Sequence, residues 1–162
     1  MQLDRAGIAA RIPHQGSMCL LDRVLEWDDN RILCSAASHR AGDNPLRAHG
    51  RLSAACGIEY AAQAMAVHGA LCAAAYARVG AAGAVVEGAP APRMGMLTSV
   101  RGVDLLVPRL DDIAADLVVQ AERVSGDHNA IVYEFTLRAN AHILLSGRAT
   151  VILDVDATGI SA

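Results

Sequence analysis

The sequence contains no lysine, so all 14 of its cationic side chains are arginines, and they are scattered along the chain. A surface that binds nucleic-acid phosphates needs clustered cations. The formal net charge is -3 and the pI is about 6.0. A nucleic-acid partner is therefore disfavoured.

Paired cysteines are also missing. The four cysteines are isolated, without a Cys-x-x-Cys pair: Cys19, Cys34, Cys56 and Cys72. Such thiols pack as small hydrophobes, and the N-terminus shows no leader-like apolar stretch, so we expect a cytoplasmic location. The His and Cys residues lack the spacing of converging metal ligands. We expect neither a metal nor a cofactor.

A long hydrophobic stretch of the kind that spans a membrane is absent as well. The most apolar stretch is Ala54–Val79, which is rich in alanine and is interrupted by Glu59, Gln63, His68 and Arg78. Because alanine contributes little transfer free energy, this stretch is expected to be a core helix and not a membrane span. Ser53 is its predicted N-cap. Apolar residues on nearly every face predict that the helix is buried almost all round.

The rest of the chain shows strand patterns between turn signals. A short helix is predicted within 1–11, ending at Ile12-Pro13. Strands are predicted at 20–28, 31–38, 94–107, 113–124, 130–139 and 143–155. This order predicts an α+β fold in which the long helix packs on one antiparallel sheet. The 162 residues suit a single domain, 1–162, with its core at about 11–153.

Three stretches resemble, in order, the 3-hydroxyacyl-ACP dehydratases. Ile12-Pro13-His14-Gln15, followed by Leu20-Leu21-Asp22-Arg23-Val24, resembles the family's Leu-Pro-His-Arg and Leu-Leu-x-Asp-Arg-Val opening. The stretch Gly57 to Ala64 resembles its Glu-Ala-x-Ala-Gln-Ala helix motif, and Val107-Pro108 with Asp111-Asp112 is similar to its Val-x-Pro-Gly-Asp joint. Gly50-Arg51-Leu52 looks most like the subgroup of aryl polyene and related lipid pathways. The resemblance implies a hotdog fold, a long central helix wrapped by an antiparallel sheet.

The resemblance also implies a chemistry: removal of water from a 3-hydroxyacyl thioester carried by an acyl carrier protein (ACP) or CoA. In the family, a histidine takes the C2 proton and an acid on the partner subunit's helix helps the 3-hydroxyl to leave. Glu59 matches that acid, and burial on the helix would keep it protonated. The helix N-terminal amides of Ala54, Ala55 and Cys56 match the site that holds the thioester oxygen.

The base has two candidates. The loop before the helix is shorter than the family's Gly-His-Phe-Pro stretch and lacks its prolines. His49 matches the base if the loop carries a deletion. Without a deletion, the position of the base falls at Pro45, which cannot transfer a proton. His14 is the second candidate, with a structural hydrogen bond as its alternative role. Gln63, one turn after Glu59, either lines the same cavity or bonds a neighbouring strand.

Several readings of the whole protein stay open. It is an active dehydratase, or a non-catalytic hotdog subunit that pairs with an active homologue; an acyl thioesterase is a weaker third reading. A homodimer or hotdog heterodimer is predicted because a single curved sheet leaves an edge unpaired. Arg40, Arg47 and Arg51 form either a docking face for an acidic carrier or a solvated surface. His68 is predicted to be a core or interface residue, and His39, His128 and His142 to be solvated.

Overall fold

The computed structural model describes residues 3–81, 95–127 and 129–153, except for the side chains of 78–81 and 153. His128, Met94 and residues 154–155, for which predictions were made, lie outside this description. The helices and strands of the described ranges are β1 (Leu3–Asp4), α1 (Arg5–Ala9), β2 (Arg23–Trp27), β3 (Arg31–Ala36), α2 (Gly57–Ala81), β4 (Gly95–Leu105), β5 (Leu117–Gly126), β6 (Ala130–Ala139) and β7 (His142–Leu153).

These strands form one antiparallel sheet of seven strands in the order β1-β2-β3-β5-β6-β7-β4. The long helix α2 follows β3 in the chain and packs against β3, β5, β6 and β4. The predicted α+β layout, one long helix against one antiparallel sheet, is therefore confirmed. Strand β4 pairs only with β7 among the described strands, so it forms one edge of the sheet.

The start of α2 is set by a cap and by close packing. The hydroxyl of Ser53 accepts the N–H of Ala55 at 3.4 Å, as predicted for an N-cap. A single 3₁₀ turn, Ala54–Cys56, precedes the α-helix, which begins at Gly57. A Cβ atom on Gly57 would lie only 2.2 Å from Cδ2 of Leu145. Glycine thus lets the first turn rest directly on β7.

Burial of α2 is less complete than predicted. Its first part is buried in the core, including Tyr60, Met65, Val67 and Leu71. The face turned away from the sheet emerges near the C-terminal end, where Ala73, Ala74, Tyr76 and Ala77 are exposed. The all-round apolar pattern of this part comes mostly from alanine, which tolerates solvent well because it has little apolar surface.

The middle of α2 is held by His68, which is buried as predicted. Its Nε2 donates to the carbonyl of Asp28 at 2.8 Å, because a carbonyl can only accept. Its Nδ1 therefore accepts from the hydroxyl of Tyr133 at 2.9 Å. This network joins the β2–β3 turn, the helix and β6.

Other boundaries also differ from the prediction, and two of them have a structural cause. The first helix begins at Arg5, because Leu3 and Asp4 pair with β2 and the Asp4 carboxylate caps the helix at the N–H of Gly7. Strand β5 begins at Leu117 and not at Ile113. The carbonyl of Ile113 is held by the His39 ring at 3.0 Å, so this segment bonds to side chains and not to a neighbouring strand.

Within the described residues, no helix is long and apolar enough to cross a membrane.

Candidate active site

Glu59 lies in the first turn of α2, which faces the N-terminal loop. Its side chain is 32% exposed. The burial expected from the apolar helix is therefore only partial, although the carboxyl group contacts His14 of the N-terminal loop. An acid in this position is accessible to a small molecule.

His14 lies beside Glu59 in the same chain. Its Nε2 is 3.2 Å from Oε1 of Glu59, and its side chain is 30% exposed. Its Nδ1 is buried and has no hydrogen-bond partner among the described residues. The loop is held in place by Gln15, whose Nε2 donates to the carbonyl of Ala9 at 2.7 Å. The structure thus brings an imidazole and a carboxyl group together.

Gln63 completes this cluster one turn further along α2. The residue is fully buried, and its Nε2 donates to Oε1 of Glu59 at 3.0 Å and to the carbonyl of Met18 at 2.8 Å. Its Oε1 accepts the N–H of Leu20 at 2.9 Å. Gln63 thus bonds the backbone segment that precedes β2 and also contacts Glu59, and its part in the site stays a prediction.

The amides at the start of α2 are largely engaged within the chain. The N–H of Ala54 donates to the carbonyl of Pro108 at 3.3 Å, and that of Cys56 to the carbonyl of Ser53 at 3.0 Å. The N–H of Ala55 has the longest bond, 3.4 Å to the Ser53 hydroxyl. The 3₁₀ turn accounts for the Cys56 bond, because its i→i+3 pattern closes a hydrogen bond that a plain α-helix would leave open.

His49 lies apart from this cluster, at the tip of a tight turn. Ala48 and Arg51 exchange both backbone hydrogen bonds, at 2.9 and 3.1 Å. His49 and Gly50 between them have φ values of 51° and 73°, in the left-handed region that non-glycine residues rarely adopt. The His49 side chain is exposed and makes no hydrogen bond or ion pair with the described residues, Glu59 included.

A buried carboxylate holds this turn in place. Asp111 is 3% exposed and accepts hydrogen bonds from both Arg109 and Arg47, the latter at 3.2 Å. It also accepts the N–H of Leu52 at 2.9 Å. The hydrogen bonds from Arg109 and from the Leu52 amide hold the pKa of Asp111 well below its usual range. In the sequence, Asp111 was recognisable only as part of the motif Val107-Pro108 with Asp111-Asp112. That motif did not indicate that Asp111 anchors the loop 47–52.

Two other predictions concern charged or polar residues near this loop. Of the three arginines proposed as a docking face, Arg40 pairs with Asp116 and Arg47 with Asp111, while Arg51 is exposed without an ion pair in the described ranges. His39, predicted to be solvated, is fully buried. That prediction was wrong because a 3₁₀ turn folds the ring inward onto Ile113. The described residues contain no group of His, Cys, Asp and Glu that could hold a metal ion.

A protein-family model supplies the evidence for relationship. The model described as ApeP-like, ApeP dehydratase, matches residues 6–160, nearly the whole chain. The chain belongs to the ApeP-like dehydratase family. The dehydratase relationship predicted from the three motifs is therefore confirmed. Among proteins of curated function, nothing matches at a significant level.

Solved structures similar to this family member share its fold. The dehydratase heterocomplex ApeI:P from Xenorhabdus doucetiae is 24% identical, with a TM-score of 0.71 over 92% of this chain and 91% of that one. A thioesterase family protein from Silicibacter pomeroyi is 15% identical, with a TM-score of 0.61 over 90% and 94%. A thioesterase from Haemophilus influenzae is 13% identical, with a TM-score of 0.54 over 81% and 76%. At these identities the likeness establishes the hotdog fold, as predicted.

Proposed function

We propose that this ApeP-like chain is a subunit of a dehydratase that removes water from a 3-hydroxyacyl thioester on an acyl carrier protein, in aryl polyene or related fatty-acid type biosynthesis. The position of Glu59 carries the proposal. It matches the family's acid, is about one third exposed and is held by His14 and Gln63. An acid that meets a substrate must be both accessible and fixed in place.

The reaction balances with one carboxyl group and one imidazole. Dehydration breaks a C2–H bond and the C3–O bond, and a C2=C3 double bond forms. Glu59 gives its proton to the departing 3-hydroxyl, which leaves as water, while the imidazole takes the C2 proton. No redox step or cofactor is needed for this balance.

We assign the imidazole to His49 and give His14 the role of orienting Glu59. Nε2 of His14 lies 3.2 Å from Oε1 of Glu59, and its Nδ1 is buried, an arrangement that suits an orienting role. His49 is exposed, and the surrounding hydrogen bonds hold its backbone in a strained conformation, which is typical of functional positions. Since no contact joins it to Glu59 of its own chain, His49 is proposed to serve a site shared with the neighbouring subunit.

The thioester oxygen needs a donor near this pair. Of the three amides predicted for that role, Ala54 is bonded to the backbone of Pro108 and Cys56 to that of Ser53. The amide of Ala55 is held only by a 3.4 Å bond to the Ser53 hydroxyl, a partner that a substrate oxygen can replace. We therefore propose Ala55 as the donor.

The neighbouring subunit is proposed to be another hotdog chain paired along β4. That edge strand exposes Met96, Leu97 and Leu105. A long apolar edge strand invites aggregation unless a partner covers it. The ApeI:P relative is a heterocomplex, which favours a different hotdog chain over a second copy of this one; the homodimer is the alternative.

The carrier would meet this subunit near His49. Arg51 lies two residues from His49, is exposed and has no ion pair within the described part of the chain. A cation beside the catalytic turn suits an acidic carrier protein. The family resemblance favours ACP, and a CoA thioester is the alternative carrier.

The test is dehydration of a 3-hydroxyacyl-ACP by the purified chain, alone and together with a second hotdog chain. We expect Glu59→Gln and His49→Ala each to lower kcat by about 10² or more, the range usual for loss of a general acid or base. His142→Ala is the matched control, because His142 is exposed and lies outside the site. Full activity of Glu59→Gln in every combination would refute the proposal.

A non-catalytic subunit that completes the site of an active partner is the second candidate. The engaged amides of Ala54 and Cys56 favour it, because they leave little room for an oxyanion site in this chain. Under this alternative the mixed complex turns over at the same rate with Glu59→Gln. The thioesterase reading rests on neighbours that share only the fold, and release of free carrier thiol in the same assay would detect it.

A further inference from the structure

The geometry assigns Gln63 as a positioning residue: its amide selects which oxygen of Glu59 carries the acid proton. This inference rests on the proposed role of Glu59 as an acid. Gln63 is 0% exposed, and each of its polar atoms is bonded within the chain. It therefore acts through its neighbours and not by touching a substrate.

The orientation of the Gln63 amide follows from its backbone partners. The Leu20 nitrogen, 2.9 Å from Oε1, can only donate, and the Met18 oxygen, 2.8 Å from Nε2, can only accept. The flipped amide would lose both bonds and bury two unsatisfied groups. Nε2 has two hydrogens. One goes to Met18, and the other points to Oε1 of Glu59 at 3.0 Å.

This orientation fixes the proton on Glu59. Since the amide N–H can only donate, Oε1 of Glu59 must be an acceptor. The hydroxyl oxygen of a neutral carboxyl group is a poor acceptor, so the acid proton sits on Oε2. Nε2 of His14 lies 3.2 Å from the same Oε1. Oε2 is then the oxygen that gives its proton to the departing hydroxyl, and the bond from Gln63 to Oε1 persists through the transfer.

Gln63 also positions the segment that carries His14. Met18 and Leu20 follow His14 closely in the chain, and the buried amide bonds to the backbone of both. One side chain therefore fixes the acid directly and the histidine through the backbone. A substitution at Gln63 is expected to disturb the pair even though the residue lies outside the accessible part of the site.

The first test uses NMR spectroscopy on the full wild-type chain, labelled with ¹⁵N. The two side-chain N–H protons of Gln63 give separate signals. We expect one of them to move in Glu59→Ala, while the proton bonded to Met18 stays in place. If neither signal responds, the inference is overturned.

The second test separates positioning from substrate binding in the active complex. Gln63→Met keeps the length of the side chain but removes its hydrogen bonds to Leu20, Met18 and Glu59. We expect kcat to fall about tenfold or more, with KM within about twofold, because the bond to Glu59 is lost and the segment after His14 loses its anchor. Gln63→Glu places a second carboxyl group beside Glu59, so the two share a proton and the corresponding limb of the pH–rate profile moves to higher pH.

Gln120→Met is the matched control, because Gln120 lies on β5 and takes no part in the hydrogen bonds of Glu59. A rise in KM with kcat unchanged would indicate substrate binding and would overturn the positioning role. If the wild-type complex performs no dehydration, the proposed function fails, while the NMR measurement still decides whether Gln63 holds Glu59.

Discussion

At the scale of single residues, two glycines of α2 have opposite surroundings. A Cβ on Gly57 would lie 2.2 Å from Leu145 and 3.0 Å from Leu137, whereas one on Gly69 would have nothing within 4 Å. Gly57→Ala is expected to lower the free energy of unfolding by about 1–3 kcal/mol through overpacking. Gly69→Ala, the matched control, should raise it by about 0.5–1 kcal/mol because alanine is the better helix former. Urea denaturation measures both, and effects of equal sign would contradict the packing argument.

Residues on one helix could be related from the sequence, and residues on different segments could not. The motif and the helical period place Gln63 one turn after Glu59. The contact of His14 with Glu59 depends on how the N-terminal loop docks on α2, and that docking uses the buried amide of Gln63. No local pattern encodes such a contact. The catalytic roles of Glu59, His49 and His14 remain predictions.

At the scale of elements, most helices and strands were predictable because alternation and turn signals are local. Strands β6 and β7 follow their predicted segments closely, and α2 begins three residues after its predicted first residue. The predicted boundaries are wrong where backbone groups bond to side chains and not to a neighbouring strand. The segment before β5 is an example, since His39 and Arg40 hold its carbonyls. The shortened loop before α2 was recognisable by its length, but its tight turn was not.

The stability of the folded loop 47–52 should depend on Asp111. Asp111→Asn removes the charge that both arginines bind, and asparagine cannot reproduce all of its acceptor bonds. We expect faster hydrogen exchange of the Leu52 amide and of the turn 48–51, measured by mass spectrometry or NMR. Asp112→Asn is the control, since that carboxylate is 59% exposed and lies 3.8 Å from Arg109. Unchanged hydrogen exchange in Asp111→Asn would mean that the turn is stable without the Asp111 carboxylate.

At the scale of the whole molecule, the edge strand should govern association. Met96 on β4 is 54% exposed, and a lysine there would place a charge in the proposed interface. We expect Met96→Lys to weaken the complex with a second hotdog chain, or the homodimer, in light-scattering measurements of mass. Val124→Lys is the control, because Val124 is exposed on β5 and not on the edge strand. An unchanged mass for Met96→Lys would place the interface elsewhere.

Two buried histidines should make the protein sensitive to mild acid. Burial lowers the pKa of His39 and of His68 from the usual value of 6.5. The unfolded chain therefore binds more protons than the folded one just below pH 6.5. The free energy of unfolding should fall as the pH drops through that region toward the folded pKa values.

Urea denaturation at a series of pH values measures this slope. His68→Gln is expected to reduce it, and His49→Ala, which changes an exposed ring, to leave it unchanged. A slope that is the same in all three proteins would show that other groups control acid sensitivity.

The pairing of β3 with β5 joins parts of the chain that are far apart, because α2 and β4 lie between Ala36 and its partner Leu117. Such a pair closes a long loop, which slows folding. The β5-β6-β7 meander can form locally, but His14 reaches Glu59 only after the N-terminal segment has docked on the helix. The two residues should therefore come together among the last events of refolding, after the secondary structure has formed.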